Sequence, residues 1–350
     1  MAQTRRRLLS AVGGAVTVGA LAGCTDATNN ATTAAGTTAQ ASFFVFGDLA
    51  ATVAGDAATA ETLVPIGQHG HGWEPGPSVR QDIRNADLLF HNIEGFQPRF
   101  DDIISSLDAD GAETTTVDVS ADVALLEAGG GRDDEHEEDS HDESAHNESD
   151  HDEDEEEHHD EDDHNEDDGH DHTGMDPHFW TDPIRVATAV DTIQAAFEEA
   201  DGDNADSYAD NAATLREQLD ELDEQIASVV EGGTKDVLLV AGHDSFGYLA
   251  DRYGIDVIAL TGAGPDDQPS PQDIQRAQHA IETHGLDYIC ADPLESQQAA
   301  DGLVADTDAE EVLPLTAMPG LTEAWADNDW GYLDIMESVN LPTLERALDS

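Results

Sequence analysis

Apolar residues fall along this chain in two alternating patterns. Short apolar runs, "SFFVF" (42–46), "DLLFHN" (87–92), "DVLLVAGH" (236–243), "DVIAL" (256–260), "DYICADP" (287–293) and "EEVLPL" (310–315), have the length and composition of buried strands. Between them lie stretches of helical character, such as "DLAATVAGD", "SVRQDIRNA", "ATAVDTIQAAF" and "DSFGYLADRYG". The longest, "SYADNAATLREQLDELDEQIASVV", repeats Leu215, Leu219, Leu222, Ile226 and Val229 every three or four residues and meets no Gly or Pro before Gly232. It predicts one amphipathic helix of roughly 25 residues. Strands and helices in alternation predict an α/β fold, two α/β lobes with mostly parallel sheets joined by the long rigid helix.

One segment breaks this pattern. Residues 133–172 contain 24 of the chain's 78 acids and 9 of its 16 histidines, with almost no apolar residue. So many like charges cannot offset the entropy of ordering, which predicts a disordered insertion, bounded here as 132–173. Acids alone suffice to solvate a loop. The nine imidazoles, His136, His141, His146, His151, His158, His159, His164, His170 and His172, predict weak accessory metal sites held at high effective concentration beside the fold.

The first residues have a different patterning. Arg5, Arg6 and Arg7 precede an uncharged run from Leu8 to Gly23, too short for a comfortable membrane span. The paired arginines resemble a Tat export signal and "LAGC" resembles a lipobox, which together imply cleavage after residue 23 and lipid attachment at Cys24. The expected organisation is a signal peptide over 1–23, a small, polar tether over 24–40, a first lobe over 41–203, a linking helix over 204–231 and a second lobe over 232–350. The protein is thus expected outside the cytoplasm, anchored to the outer face of the membrane. With Cys24 lipidated, Cys290 has no disulfide partner and reads as a buried core residue.

Net charge is −65, and outside the insertion 54 acids still face 12 Lys/Arg once Arg132 is set aside. Lys235 is the only lysine. The balance resembles that of proteins from salt-loving archaea, where a Debye length of about 3 Å at 1 M screens self-repulsion. It argues against nucleic acid, which is bound through Lys/Arg neutralising phosphates.

Three histidines sit in turns at the expected ends of strands, where open α/β sheets collect ligands. His71 lies in "HGHGWEPGP", His178 in "MDPHFWTDP" between two Asp-Pro pairs, and His243 directly after "DVLLVAG". Imidazole suits Zn(II) and neighbouring transition metals, and Asp176 and Asp244 are adjacent carboxylates able to orient the rings. His69 fits either the same relay or a simple turn.

"HGWEPGP", "DPHFWTDP" and "GHDSFGYLADRYG", in this order, resemble the signature stretches of the zinc/manganese-type solute-binding lipoproteins of ABC transporters. The resemblance extends from Ala41 to about Leu348 and includes the long helix and a His/acid-rich loop just ahead of "DPHFW". It implies one metal between two lobes, with His71, His178 and His243 as ligands and with an ABC permease and its ATPase as partners of a monomeric receptor. Where many members of that family place a fourth, acidic ligand, this chain reads "VLPLTAMPGL". Water or a loop histidine is then expected to complete the shell, ahead of Glu74, Glu94 or Asp292. Three nitrogens without the acid favour Zn(II) over Mn, with Cu, Ni or Co as competitors. The alternatives are a metal-buffering or adhesion lipoprotein without a transporter, or a zinc hydrolase. The last lacks an HExxH or comparable base motif, so no enzyme activity is expected.

Overall fold

The computed structural model describes residues 36–129, 174–262, 264 and 267–349. The expected signal peptide, Cys24, most of the tether and the His/acid-rich insertion with its nine histidines lie outside the described residues.

The first lobe is built on four short strands, β1 (Thr38–Ala41), β2 (Thr59–Thr62), β3 (Leu88–His91) and β4 (Thr115–Asp118), all parallel in the order β2-β1-β3-β4. Helices α1 (Phe44–Ala54), α2 (Pro77–Asn85) and α3 (Pro98–Asp110) connect them. The expected strand at "SFFVF" is instead a bend running into α1, and the strand is the preceding "TAQA", which begins inside the expected tether and ends at Ala41. The physical reason lies in burial. α1 packs on β2 and on the long helix at once, so it is apolar nearly all round and loses the helical stripe. β1 hides only alternate small side chains, so it has no apolar run to betray it.

α4 (Pro183–Ala200) begins at the second Asp-Pro pair. Asp182 caps it, accepting the Ile184 N–H at 2.8 Å, and Pro183 occupies the first turn, where a missing N–H costs nothing. The predicted long helix is α5 (Ala205–Gly232), with Leu215, Leu219, Leu222 and Ile226 buried and Val229 half-buried. It joins the lobes, packing on α4 and α1 on one side and on the C-terminal helix on the other. Each fully buried leucine contributes about 1.5–3 kcal/mol.

The second lobe repeats the plan with β5 (Val237–Val240), β6 (Asp256–Ala259), β7 (Tyr288–Ala291) and β8 (Glu311–Pro314), all parallel in the order β6-β5-β7-β8. α6 (Gly247–Tyr253), α7 (Pro271–His284) and α8 (Gln298–Asp306) link these strands. Cys290 is buried in β7, as expected, and burial pushes its thiol up to about 12. The chain then runs through α9 (Glu323–Asp327) and α10 (Tyr332–Ile335) to α11 (Leu341–Asp349).

Residues 232–350 do not all stay with the second sheet. The Gly67 and Gly70 N–H groups donate to the Leu321 and Pro319 carbonyls, both at 2.7 Å, and the Tyr332 N–H donates to Asp48 Oδ2 at 2.7 Å. Residues 319–332 therefore strap the first lobe, and the main hydrophobic core is continuous through both lobes. Among the described residues no helix is long and apolar enough to cross a membrane.

Candidate metal centre

The structure brings His71, His178 and His243 together. Their ligand atoms all lie within 4.8 Å of one another. Nitrogens bound tetrahedrally to zinc at 2.0–2.1 Å stand about 3.4 Å apart, so small side-chain movements close the set on an ion.

Each histidine is held differently. His71 lies in the turn after β2, whose Gly70 carbonyl accepts from Gln97 Nε2 at 2.9 Å. Gln97 is itself locked to the buried Ser42, accepting from its hydroxyl at 2.6 Å and donating to its carbonyl at 3.0 Å. Phe96 meets the His71 ring edge-on at 4.4 Å, and Phe43 does so at 5.9 Å. No side chain fits at Gly70, because a Cβ there would lie 2.5 Å from the Phe43 ring.

His178 is 1% exposed. Asp176 Oδ1 accepts both from the His178 backbone N–H at 2.9 Å and from ring Nδ1 at 2.7 Å. A proton on Nδ1 leaves the Nε2 lone pair free, and Nε2 is buried with no hydrogen-bond partner. Burial lowers the ring's pKa against the pull of Asp176, so the neutral, ligating form is favoured. Asn92 Nδ2 fixes the adjoining Pro177 carbonyl at 3.0 Å.

His243 follows β5 and is also buried. Its Nδ1 lies 2.8 Å from Glu295 Oε1, again leaving a buried Nε2 with no hydrogen-bond partner. The orienting carboxylate is thus Glu295, beyond the end of β7, and not the adjacent Asp244. Asp244 donates its backbone N–H to the Gly262 carbonyl at 2.9 Å, and its charge acts on the His178 ring. Gly242 permits the Glu295 approach, since a Cβ there would stand 2.5 Å from Oε2. Burial opposes ionisation of Glu295, yet the His243 hydrogen bond and the nearby His69 ring hold its carboxyl down to about 2.

None of the three acids considered as a fourth ligand stands in this histidine group. Glu74 is exposed and pairs with Arg99 at 2.9 Å, and Glu94 is exposed. Asp292 is buried, with Oδ2 accepting from the Thr316 hydroxyl at 2.5 Å and Oδ1 from the Leu294 N–H at 2.8 Å; burial raises its pKa to about 6. The loop histidines lie outside the described residues.

The tryptophans do not share one role. Trp180 is fully buried and donates Nε1–H to the Ala317 carbonyl at 2.6 Å, tying the His178 loop to the end of β8. Trp73 packs on Phe100 within the first lobe, and Trp325 is buried in the main core.

Comparison with known proteins agrees with this architecture. The chain is 28% identical over 293 residues to the high-affinity zinc uptake system protein ZnuA of Bacillus subtilis, covering 84% of this chain and 82% of that protein. It is 27% identical over 297 residues to the zinc-binding lipoprotein AdcA of Streptococcus pneumoniae, covering 85% of this chain but only 53% of that longer protein. The fold superposes on the Zn(II)-bound ZnuA-like domain of Streptococcus pneumoniae AdcA with a TM-score of 0.68, covering 90% of this chain and all of that one at 22% identity. The laminin-binding protein Lmb of Streptococcus agalactiae matches with a TM-score of 0.69 at 20% identity, again over 90% of this chain and all of the other. The family model for ZnuA, zinc-uptake complex component A periplasmic, matches residues 40–347, so this chain belongs to the ZnuA family of solute-binding proteins.

Proposed function

We propose that this protein is the extracytoplasmic receptor of a metal ABC transporter, holding one Zn(II) ion through His71, His178 and His243 and delivering it to a permease. The observation that carries this reading is the convergence of three imidazoles from both lobes, two of them with buried Nε2 atoms that no hydrogen bond satisfies. Leaving such atoms unpaired is costly, and a transition-metal ion is the partner that suits imidazole nitrogen. Zinc binding in the named relatives supports the choice of metal. The donor set disfavours Mn(II), which prefers oxygen, whereas Cu(II), Ni(II) and Co(II) compete on affinity alone.

The protein makes and breaks no covalent bond in this role. Asp176 and Glu295 fix two rings with their lone pairs inward, Phe43 and Phe96 wall His71, and the ion is taken up and released as cargo. The ATPase that drives the permease, a lipid anchor at Cys24 and accessory capture by histidines between residues 132 and 173 complete the proposal, with the chain working as a monomer.

The test is metal titration in molar salt, with the bound metal identified by mass spectrometry, on the mature chain and on the same chain lacking 133–172. One tight zinc in both forms is expected, together with its loss in His178→Ala and His243→Ala. Retention of the tight equivalent in both histidine variants overturns the ligand assignment.

A further inference from the structure

The stretch "LTAMPG" (315–320), which lacks the acidic ligand expected from the family, touches the loop of each histidine. The Ala317 carbonyl accepts the Trp180 Nε1–H at 2.6 Å, just past His178. The Pro319 carbonyl accepts the Gly70 N–H at 2.7 Å, beside His71. The Thr316 hydroxyl donates to Asp292 Oδ2 at 2.5 Å, and Asp292 opens the turn that carries Glu295 to His243. Asp292 Oδ1 accepts the Leu294 N–H at 2.8 Å, and the Asp292 carbonyl accepts the Glu295 N–H at 3.0 Å and Gln297 Nε2 at 2.7 Å. The Glu295 turn is thus fixed from its first residue.

The same hydroxyl shapes the stretch itself. Thr316 Oγ1 accepts the Met318 N–H at 2.8 Å, closing a tight turn around Ala317. Met318 is fully buried at a φ of 54°, in the left-handed region that residues other than glycine rarely occupy. Such a conformation persists where its surroundings over-determine it. Here the Asn340 amide brackets Thr316, accepting its N–H at 2.9 Å and donating to its carbonyl at 2.8 Å. At the other end Gly320 is wedged in place, since a Cβ there would lie 2.1 Å from the Gln68 carbonyl oxygen and 3.4 Å from Leu294 Cδ1.

We propose that Thr316 is the positioning residue of the metal centre. Its hydroxyl fixes, through the Met318 N–H, the two carbonyls that hold the His178 and His71 loops and, through Asp292, the turn that orients His243. This rests on the three-histidine site proposed above. The imidazoles come from three separate segments, and a shared support holds their spacing before the ion arrives, so that less ordering remains to be done on binding. In place of a ligand, the stretch supplies preorganisation.

The test uses the mature chain in molar salt with Zn(II) alone, comparing wild type with Thr316→Val and Thr316→Ser. Val keeps the branched shape and removes the hydroxyl, whereas Ser keeps the hydroxyl and drops the methyl. Zinc affinity is measured by chelator competition, the geometry of the donor set by the Co(II) absorption spectrum, and folding by urea unfolding of the same preparations. Thr316→Val should weaken zinc binding by about tenfold and alter the Co(II) spectrum. Thr316→Ser should stay within about threefold of wild type, with the wild-type spectrum. Asp292→Ala, which cuts the arm to Glu295 and leaves the Met318 turn, should weaken zinc binding by less than Thr316→Val, and it keeps the test available if the Val variant does not fold. A lower urea midpoint in Thr316→Val with unchanged zinc affinity and spectrum makes the hydroxyl structural only and overturns the proposal. A Ser variant as impaired as the Val variant overturns it too, by assigning the effect to shape, and so does an Asp292→Ala variant with wild-type affinity. Absence of a tight equivalent in the wild type is a separate result, which removes the three-histidine site itself.

Discussion

The Tyr248 hydroxyl donates to the Asp176 carbonyl at 2.5 Å and accepts the Leu126 N–H at 2.9 Å. One buried side chain of α6, five residues after His243, thereby holds the residue whose carboxylate orients His178. Arg185 covers the ring at 4.7 Å and donates to the Ala124 carbonyl at 3.0 Å, fixing the same loop from its other side. Tyr248→Phe keeps the ring and strands a backbone donor and acceptor, so it should cost about 1–3 kcal/mol. It should also weaken zinc binding. Urea unfolding and chelator competition on the same preparation check both, and an unchanged zinc affinity would separate the loop from the site.

Asp176→Ala tests the next link. It removes the acceptor of the His178 Nδ1–H and of the His178 backbone N–H together. Loss of such an orienting carboxylate lowers metal affinity by about 10–100-fold. Asp176→Asn, which retains a carbonyl oxygen at the same place, should recover part of that loss, as read by chelator competition.

Much of this was legible in the sequence, and the omissions have a pattern. Strands β3, β5 and β7 carry the apolar runs of two-sided burial, β6 and β8 keep an apolar run although their burial is partial, and α5 shows its stripe because one face meets solvent. β1, β2 and β4, "TAQA", "TAET" and "TTVD", are small and threonine-rich, and their burial alternates or stays partial. They form strands because the neighbouring ladders and α1 cover them, which no local pattern reveals. The three histidines could be read from their turns. Glu295 could not, because it reaches His243 across 52 residues through the pairing of β5 with β7.

The linking helix should be the element on which the fold depends most. Leu219 is fully buried midway along α5, inside the core that runs through both lobes. Leu219→Ala should lower stability by about 2–5 kcal/mol, through lost transfer energy and the cavity left behind. Urea unfolding at constant salt should show a lower midpoint. A midpoint unmoved by the substitution would mean that the helix contributes reach and not stability.

Asp223, near the middle of α5, supplies a pH signature away from the metal centre. Its carboxylate accepts from Arg252 at 2.5 and 2.7 Å and from the Tyr253 hydroxyl at 2.8 Å. The Arg252 hydrogen bonds hold its pKa below the ordinary value against the opposing effect of burial. A folded pKa below the unfolded value of about 3.9 means a stabilisation fully present above that pH and lost as pH falls through the folded value. Arg252 stays charged throughout and also faces Asp182 at 3.4 Å. The stability difference between wild type and Asp223→Asn should therefore be constant from neutral pH down to about pH 5 and shrink below about pH 4. A difference that grew with acid would reverse the sign of the interaction.

Salt should act on the whole molecule in the opposite sense to its action on single ion pairs. With a net charge of −65, self-repulsion in the compact state is the larger electrostatic contribution, and the ion pairs among the described residues are few and mostly at least partly exposed. Exposed pairs contribute only about 0–1 kcal/mol each, so screening them costs little. Screening like charges gains more, because the Debye length contracts from about 10 Å at 0.1 M to about 3 Å at 1 M. The thermal midpoint should consequently rise as KCl is raised from 0.1 to 2 M. The form lacking residues 133–172 has 24 fewer acids and should show a shallower rise. Equal slopes would mean that the insertion's charges do not press on the folded lobes, and a falling midpoint would mean that ion pairs outweigh repulsion.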